Sequence, residues 1–282
     1  MATKGPLDGI KVLDLSWILS GPFATMTLSD LGATVVKVER PPYGDLGRTT
    51  RPIIDGESGY FFSVNRGKKS ISIDLKTSEG KKIFLDLVKE FDVIVENFTP
   101  GVMDKIGLSY QEISAVNEKI IYAAISGYGQ TGPWKDRPAL DVIAQGSGGI
   151  LSVTGVDGGP PIRPGTSLGD IGGGIYCVIG VLSAVIERNQ SGKGQYIDIS
   201  MMDCQIAIQE NAFMRWHLTN EEPKKLGTRH PTAVPFQAFP TSDGWIVVAL
   251  SWGVPEQWNL LCSVLGLDSM ILDDRFATAE KR

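Results

Sequence analysis

Short apolar stretches rich in β-branched residues alternate along the chain with segments of helical period, the pattern of a parallel sheet covered by helices. Residues 10–15 read as a first strand, 22–31 as a helix closed by Gly32, and 34–39 as a second strand. A polar excursion punctuated by Gly44, Gly47, Pro52, Gly56 and Gly59 leads to a strand over 70–75. Ser78 is placed to cap a helix running to residue 90, and the Asp-Val-Ile-Val-Glu run at 92–96 is a strand. Short helices over 101–106 and 110–116 precede a strand over 120–126. A glycine-broken helix over 140–150, a Gly- and Pro-rich loop over 155–165 and a long helix over about 171–189 follow. A strand over 196–200 and a helix over about 202–218 complete the alternation. The polar, proline-bearing stretch 219–240 reads as a linker. A strand over 245–250 and a helix over 255–265 then open a smaller unit, which breaks off in a helix-like run at 279–282. The expectation is an α/β protein: a large domain over 1–218, a linker over 219–240, and over 241–282 the start of a second domain that is incomplete, as in a truncated chain.

With 282 residues, 42 % of them hydrophobic, the chain can bury a sizeable core. Its net charge of −5 and the lack of a basic stripe interleaved with aromatics argue against nucleic acid as a partner. Cys177, Cys204 and Cys262 are far apart in apolar surroundings, which points to reduced core thiols in a cytoplasmic protein and away from disulfides or zinc. The first residues lack the apolar stretch of a signal peptide. The apolar run at 175–186 is about a dozen residues, short for a bilayer and ordinary for a buried helix, so no membrane association is expected. His217 and His230 are the only histidines, too few for a multi-histidine metal centre.

Candidate chemistry centres on Asp170. Gly169-Asp170 stands directly before Gly172-Gly173-Gly174, where the long helix begins. An acid there is an ordinary N-terminal residue, yet at the positive end of a helix it is expected to stay ionised and can act as a nucleophile. Gly127-Tyr128-Gly129-Gln130-Thr131-Gly132 matches the dinucleotide fingerprint, but Pro133 and Pro138 interrupt the helix that would receive a pyrophosphate, so a turn is favoured. Gly165-Thr166-Ser167-Leu168-Gly169 matches the serine-hydrolase elbow without the strand that should precede it; Asp198 or Asp203 with His217 or His230 would have to complete a triad. Arg40, Lys76, Lys105, Lys135 and Arg137 each follow a predicted strand, which puts them at the carboxyl edge of the sheet, where such folds bind ligands. Singly each reads as a solvated charge; together they suit a ligand with several phosphates.

The chain resembles the class III coenzyme A transferases over essentially its whole length. The landmarks are residues 6–14 (Pro-Leu-Asp-Gly-Ile-Lys-Val-Leu-Asp), Gly21-Pro22, Leu31-Gly32-Ala33, 36–40 (Val-Lys-Val-Glu-Arg), 95–98 (Val-Glu-Asn-Phe), Gly127-Tyr128-Gly129, Gly169-Asp170 and 192–195 (Gly-Lys-Gly-Gln). The resemblance implies a Rossmann-like, doubly wound large domain, a smaller α+β domain and an interlinked homodimer. It implies coenzyme A as co-substrate, with no permanently bound cofactor and no metal. Asp170 would be the nucleophile. Arg40 and Lys76 would meet phosphates, Asn97 and Phe98 the adenosine or pantetheine, and Lys105 would stand where others carry arginine. Ile73, Ile106 and Arg137 complete the implied coenzyme A contacts, and Trp17, Ile18, Leu19 and Ser20 would line the thiol end. Some members have histidine where Trp17 stands.

The implied reaction moves coenzyme A from an acyl-CoA to a free carboxylic acid through an aspartyl anhydride and an aspartyl-CoA thioester. Backbone N–H groups at 172–174 or 145–149 are candidates to hold the oxyanions. Two alternatives stand beside it: a racemase or isomerase of the same superfamily, and a non-catalytic acyl-CoA-binding relative. The racemases use a histidine directly before the Asp that opens the helix after the Gly-Tyr-Gly loop; here that pair is Leu140-Asp141, and no histidine precedes His217. The stretch 229–239 also lacks the glycine run with which several transferases shield the intermediate. Arg48, Arg51 and Arg66 in the polar excursion could pair a second carboxylate, favouring a dicarboxylate acceptor.

Overall fold

A computed structural model describes residues 5–210, 212–251 and 253–282. Residues 1–4, part of the segment read as lacking a leader, lie outside the described residues. In chain order the first half contains β1 (Lys11–Asp14), α1 (Ser20–Asp30), β2 (Thr34–Glu39), β3 (Ile53–Ile54), β4 (Glu57–Ser58), α2 (Gly59–Asn65), β5 (Lys69–Ser72), α3 (Ser78–Val88), β6 (Val93–Glu96), α4 (Val102–Lys105), α5 (Tyr110–Val116) and β7 (Ile121–Ser126). The second half contains α6 (Asp141–Ser147), α7 (Ile150–Val153), α8 (Leu168–Ser191), β8 (Tyr196–Ser200), α9 (Met201–Ala207), α10 (Ala212–Thr219), β9 (Phe236–Pro240), β10 (Trp245–Ala249) and α11 (Pro255–Val264).

Six strands form one sheet in the order β5-β2-β1-β6-β7-β8, parallel throughout. Counted along the sheet this is the Rossmann order, which reverses between β1 and β6. Alternation of side chains sorts the strand residues into two cores. Val12, Val93, Val95, Ile121, Ala123 and Ile125 pack with residues of α1 and α8 such as Leu28, Cys177 and Val181. Their neighbours Leu13, Ile94, Tyr122 and Ala124 pack on the opposite face with Phe84 and Val88 of α3 and Ile113 of α5. Helices therefore cover both faces, which is why these strands read as continuous apolar runs.

The chain divides into two compact units, residues 1–150 with 163–214, and residues 151–162 with 215–282. The second unit thus begins near the expected boundary but also takes in 151–162. Gly227 N–H donates to Gly155 O (2.7 Å) and Lys225 Nζ to Gly159 O (2.7 Å), tying that loop to the segment after α10. The expected linker holds a strand, since β9 pairs antiparallel with β10.

Other differences have local causes. Thr77, not Ser78, caps α3, its hydroxyl accepting from Gly80 N–H at 3.0 Å. The polar excursion folds into the β3–β4 hairpin and α2, the latter capped by Ser58. The expected helix over 202–218 is two helices, with Glu210 at φ +54° after the first; Asn211, between them, lies outside the described residues. Helix α8, at 24 residues, is twice the apolar run and long and apolar enough by composition to cross a membrane, but it packs on the sheet through Cys177, Val181 and Ala184. The three cysteines are buried free thiols.

Candidate active site at the switch point of the sheet

The loops leaving β1 and β6 meet where the strand order reverses. Asn97 binds the backbone of Trp17 from both sides: Trp17 N–H donates to Oδ1 (2.8 Å), and Nδ2 donates to Trp17 O (2.8 Å) and to Ser20 Oγ (3.0 Å). Ile18 sits at φ +66°, and Leu19 N–H donates to Trp17 O at 2.9 Å, the geometry of a γ-turn that a β-branched residue adopts only under constraint. The constraint is a buried charge network. Asp45 Oδ1 accepts from Ile18 N–H (3.1 Å), while Lys37 Nζ pairs with Asp45 Oδ2 (2.9 Å) and donates to Ser16 O (2.6 Å). Lys68 pairs with Asp14 at 2.9 Å. Burial would raise the Asp14 carboxyl, but Lys37, Lys68 and Ser16 hold it well below the ordinary carboxylate range. Removing one partner of such a set strands a charge, so the loop is locked by electrostatics beneath it.

Asp170 is the third residue of α8, whose N-cap residue, Ser167, makes no side-chain cap. The cap comes from another helix. Asp141, at the start of α6, accepts from Gly169 N–H (2.9 Å) and Asp170 N–H (3.4 Å) through Oδ1. Its Oδ2 accepts from Gln145 Nε2 (2.8 Å) and Arg163 Nη2 (3.1 Å). Two carboxylates therefore share one helix N-terminus. Burial, then Asp141, push the Asp170 carboxyl up to about 6, against Arg163 and a hydrogen bond from Ser20. Desolvation and the second acid thus raise the carboxyl despite the helix end, yet at about 6 it stays ionised at neutral pH.

Asp170 lines a cavity of about 250 Å³ with Trp17, Ile18, Leu19, Ser20, Asn97, Phe98, Arg137, Leu140 and Asp141. A neighbouring cleft of about 460 Å³ is lined by Arg40, Ile73, Lys76 and Ile106 and shares Trp17, Asn97, Phe98 and Thr99 with the first. The Arg40 guanidinium lies 5.4 Å from the Trp17 ring centroid, and Trp17 meets Phe98 edge-on at 5.7 Å. Of the residues singled out in the sequence, Lys105 lines neither space; it is exposed on α4, as Lys135 is in its loop. Tyr60 of α2 was not foreseen, because nothing local marks it. Burial, then the Asp170 charge, raise its phenol to about 12.

Several sequence readings give way. Gly172, Gly173 and Gly174 lie buried inside the α8 ladder, so their N–H groups are not free for an oxyanion. They serve packing instead: a Cβ at Gly174 would stand 2.8 Å from Ser20 O, and one at Gly173 3.1 Å from Met201 Cγ. Arg48 is consumed by Glu39 (2.7 Å to each oxygen) and Arg66 by Asp30, which removes two of the arginines considered for a second carboxylate. Ser167 accepts from Arg163 (2.8 Å) after a loop, without the strand an elbow requires. In the glycine-rich turn after β7, Gln130 N–H donates to the Asp198 carboxylate at 2.9 Å, and no helix follows over 131–140 to receive a pyrophosphate.

The strand order defines a doubly wound α/β protein, and the paired cavities lie outside β1 and β6, where such folds bind ligands. The chain belongs to CoA-transferase family III, whose profile matches residues 7–282. It is 44 % identical over 280 residues to the acetyl-CoA:oxalate CoA-transferase of Acetobacter aceti, covering 99 % of this chain and 72 % of that protein. Identity to the human succinyl-CoA:glutarate CoA-transferase is 41 % over 278 residues, covering 98 % and 63 %. A CAIB/BAIF family protein from Brucella suis superposes with a TM-score of 0.87 at 41 % identity, over 99 % of this chain and 75 % of that one. The chain thus spans about two thirds to three quarters of the length of these relatives.

Proposed function

We propose that the protein transfers coenzyme A from an acyl-CoA thioester to a free carboxylic acid, with Asp170 as the covalent carrier. One observation supports this most: the Asp170 cavity and the cleft bearing Arg40 and Lys76 share Trp17, Asn97 and Phe98 as walls. A ligand with phosphates against the two cations can therefore extend its thioester towards Asp170. Asp170 Oδ attacks the acyl carbonyl carbon; the C–S bond breaks, and coenzyme A leaves as thiolate. The thiolate attacks Asp170 Cγ and the bond to the acyl oxygen breaks, leaving an aspartyl thioester and the donor acid. An acceptor carboxylate runs the two steps in reverse. A carboxyl raised to about 6 is ionised at pH 7.5 and poorly solvated, which favours attack. The apolar side chains of Leu19 and Phe98 on the cavity wall limit the access of water to the anhydride.

Leu140, on the wall of the same cavity, offers no proton carrier where the racemases have histidine, so the reading is transfer. The relatives' names make oxalate, succinate and glutarate the acids to assay first, with acetyl-CoA and succinyl-CoA as donors. Asp170→Ala is expected to lower transfer by a factor on the order of 10³ or more. Full activity in that variant, or exchange of the substrate α-proton into deuterated water without an acceptor acid, contradicts the proposal. From the family we also carry over an interlinked homodimer, and from the three reduced core thiols a cytoplasmic location; a monomer mass by light scattering, or recovery in a membrane fraction, contradicts these.

A further inference from the structure

We infer that Ser20 is a hydrogen-bond donor to the Asp170 carboxyl group during transfer, held in that role by Asn97. The inference rests on the reading of Asp170 as carrier and goes beyond it by assigning the donor at the aspartyl carbon.

The direction of the Ser20 proton follows from its partners. Trp17 presents both an N–H and a C=O to the Asn97 amide, each at 2.8 Å, so only one amide orientation satisfies both. The second Nδ2 proton is then committed to Ser20 Oγ at 3.0 Å. Ser20, 2 % exposed, therefore receives a hydrogen bond from Asn97, and its single proton must go elsewhere. It lines the same cavity as Asp170, whose carboxylate is the acceptor that space offers, and Ser20 is among the groups that favour the ionised form of that carboxylate. The spacing of the two helices that carry them is fixed: a methyl at Gly174 would press on Ser20 O at 2.8 Å and on Phe23 at 2.9 Å. A donor so fixed needs little reorganisation as charge builds.

The step that uses it is thiolate attack on Cγ of the aspartyl anhydride. As the Cγ–S bond forms, the carbonyl electrons move onto the Asp170 oxygen that bears no acyl group, and return when the bond to the acyl oxygen breaks. Ser20 donates a hydrogen bond to that oxygen and transfers no proton. In the resting enzyme the same donor favours the ionised carboxylate.

The test follows formation of the Asp170–coenzyme A thioester in a single turnover with acetyl-CoA, trapped by borohydride and quantified by peptide mass spectrometry. Ser20→Ala is expected to slow thioester formation roughly 10- to 100-fold. Its affinity for coenzyme A should stay within about twofold, which also reports a folded site, and the acid limb of its pH–rate profile should move upward. Ser20→Thr, which keeps the hydroxyl, should recover most of the rate. Thioester formation in Ser20→Ala at the wild-type rate with an unmoved acid limb overturns the inference while leaving Asp170 as carrier. Absence of any thioester in the wild-type protein overturns the carrier reading, and this inference with it.

Discussion

Asp170 lies where four influences compete: burial and the Asp141 charge disfavour its ionised form, while Arg163 and Ser20 favour it. The balance raises it from 3.8 to about 6, with a consequence for stability. A carboxyl raised on folding stabilises the fold fully below its unfolded value, and that contribution is lost as pH climbs through its folded value. Asp170 is thus a net cost to the fold above pH 6 and not at pH 4. Asp170→Asn is expected to be more stable than wild type at pH 7.5 by roughly 1–3 kcal/mol in urea unfolding, and the gap should close towards pH 4. A variant less stable at pH 7.5 would contradict the electrostatics described. Asp141, which makes this cap, is also the residue whose role sequence reasoning missed. It reaches Gly169 across 28 positions, and no local pattern announces a cap supplied by another helix.

At the scale of elements, α1 and α8 decide how the site is held. Glycine is used at 174 because backbone occupies the space a side chain would need, not because the turn requires it. Alanine is favoured over glycine inside a helix by about 1 kcal/mol, whereas forcing a methyl into a packed contact costs about 1–3 kcal/mol. Gly174→Ala is therefore expected to be net destabilising by about 1 kcal/mol or more and to slow transfer by displacing Ser20; calorimetry beside an activity assay reads both. Equal stability and activity would mean the helices tolerate separation. Strands β1, β6 and β7 were legible because both faces are buried and the apolar run is nearly continuous, and β2 and β8 because β-branched residues recur around a single polar one. Helix α2 and the β3–β4 hairpin were not, since their stretch is polar and glycine-punctuated and only a local cap, Ser58 accepting from Phe61 N–H, marks where α2 begins. The break after α9 was invisible for a related reason: Glu210 takes the left-handed conformation with neither glycine nor proline to signal it.

For the molecule as a whole, strand order does what composition cannot. Arg40, Lys76, Asn97 and Asp170 are scattered over 131 positions, and the reversal between β1 and β6 brings their loops to one edge of the sheet. Of the cations that the carboxyl-edge rule singles out in the sequence, Arg40, Lys76 and Arg137 line the two cavities. Lys105 and Lys135 line neither cavity, and Arg48 and Arg66, considered separately for a second carboxylate, are in ion pairs, because charges carry no sequence pattern that separates a solvated residue, an ion-pair member and a ligand contact. Lys37 and Lys68 read as surface residues by type, yet both are buried beneath the Trp17–Ser20 loop and paired with aspartates. Under the proposed function, Asp170 becomes covalently linked to its cargo. Incubation with acetyl-CoA, borohydride reduction and peptide mapping tests it most directly. The expected result is conversion of the Asp170 side chain to the corresponding alcohol, dependent on acetyl-CoA. An unmodified Asp170 in protein that still transfers coenzyme A would contradict it.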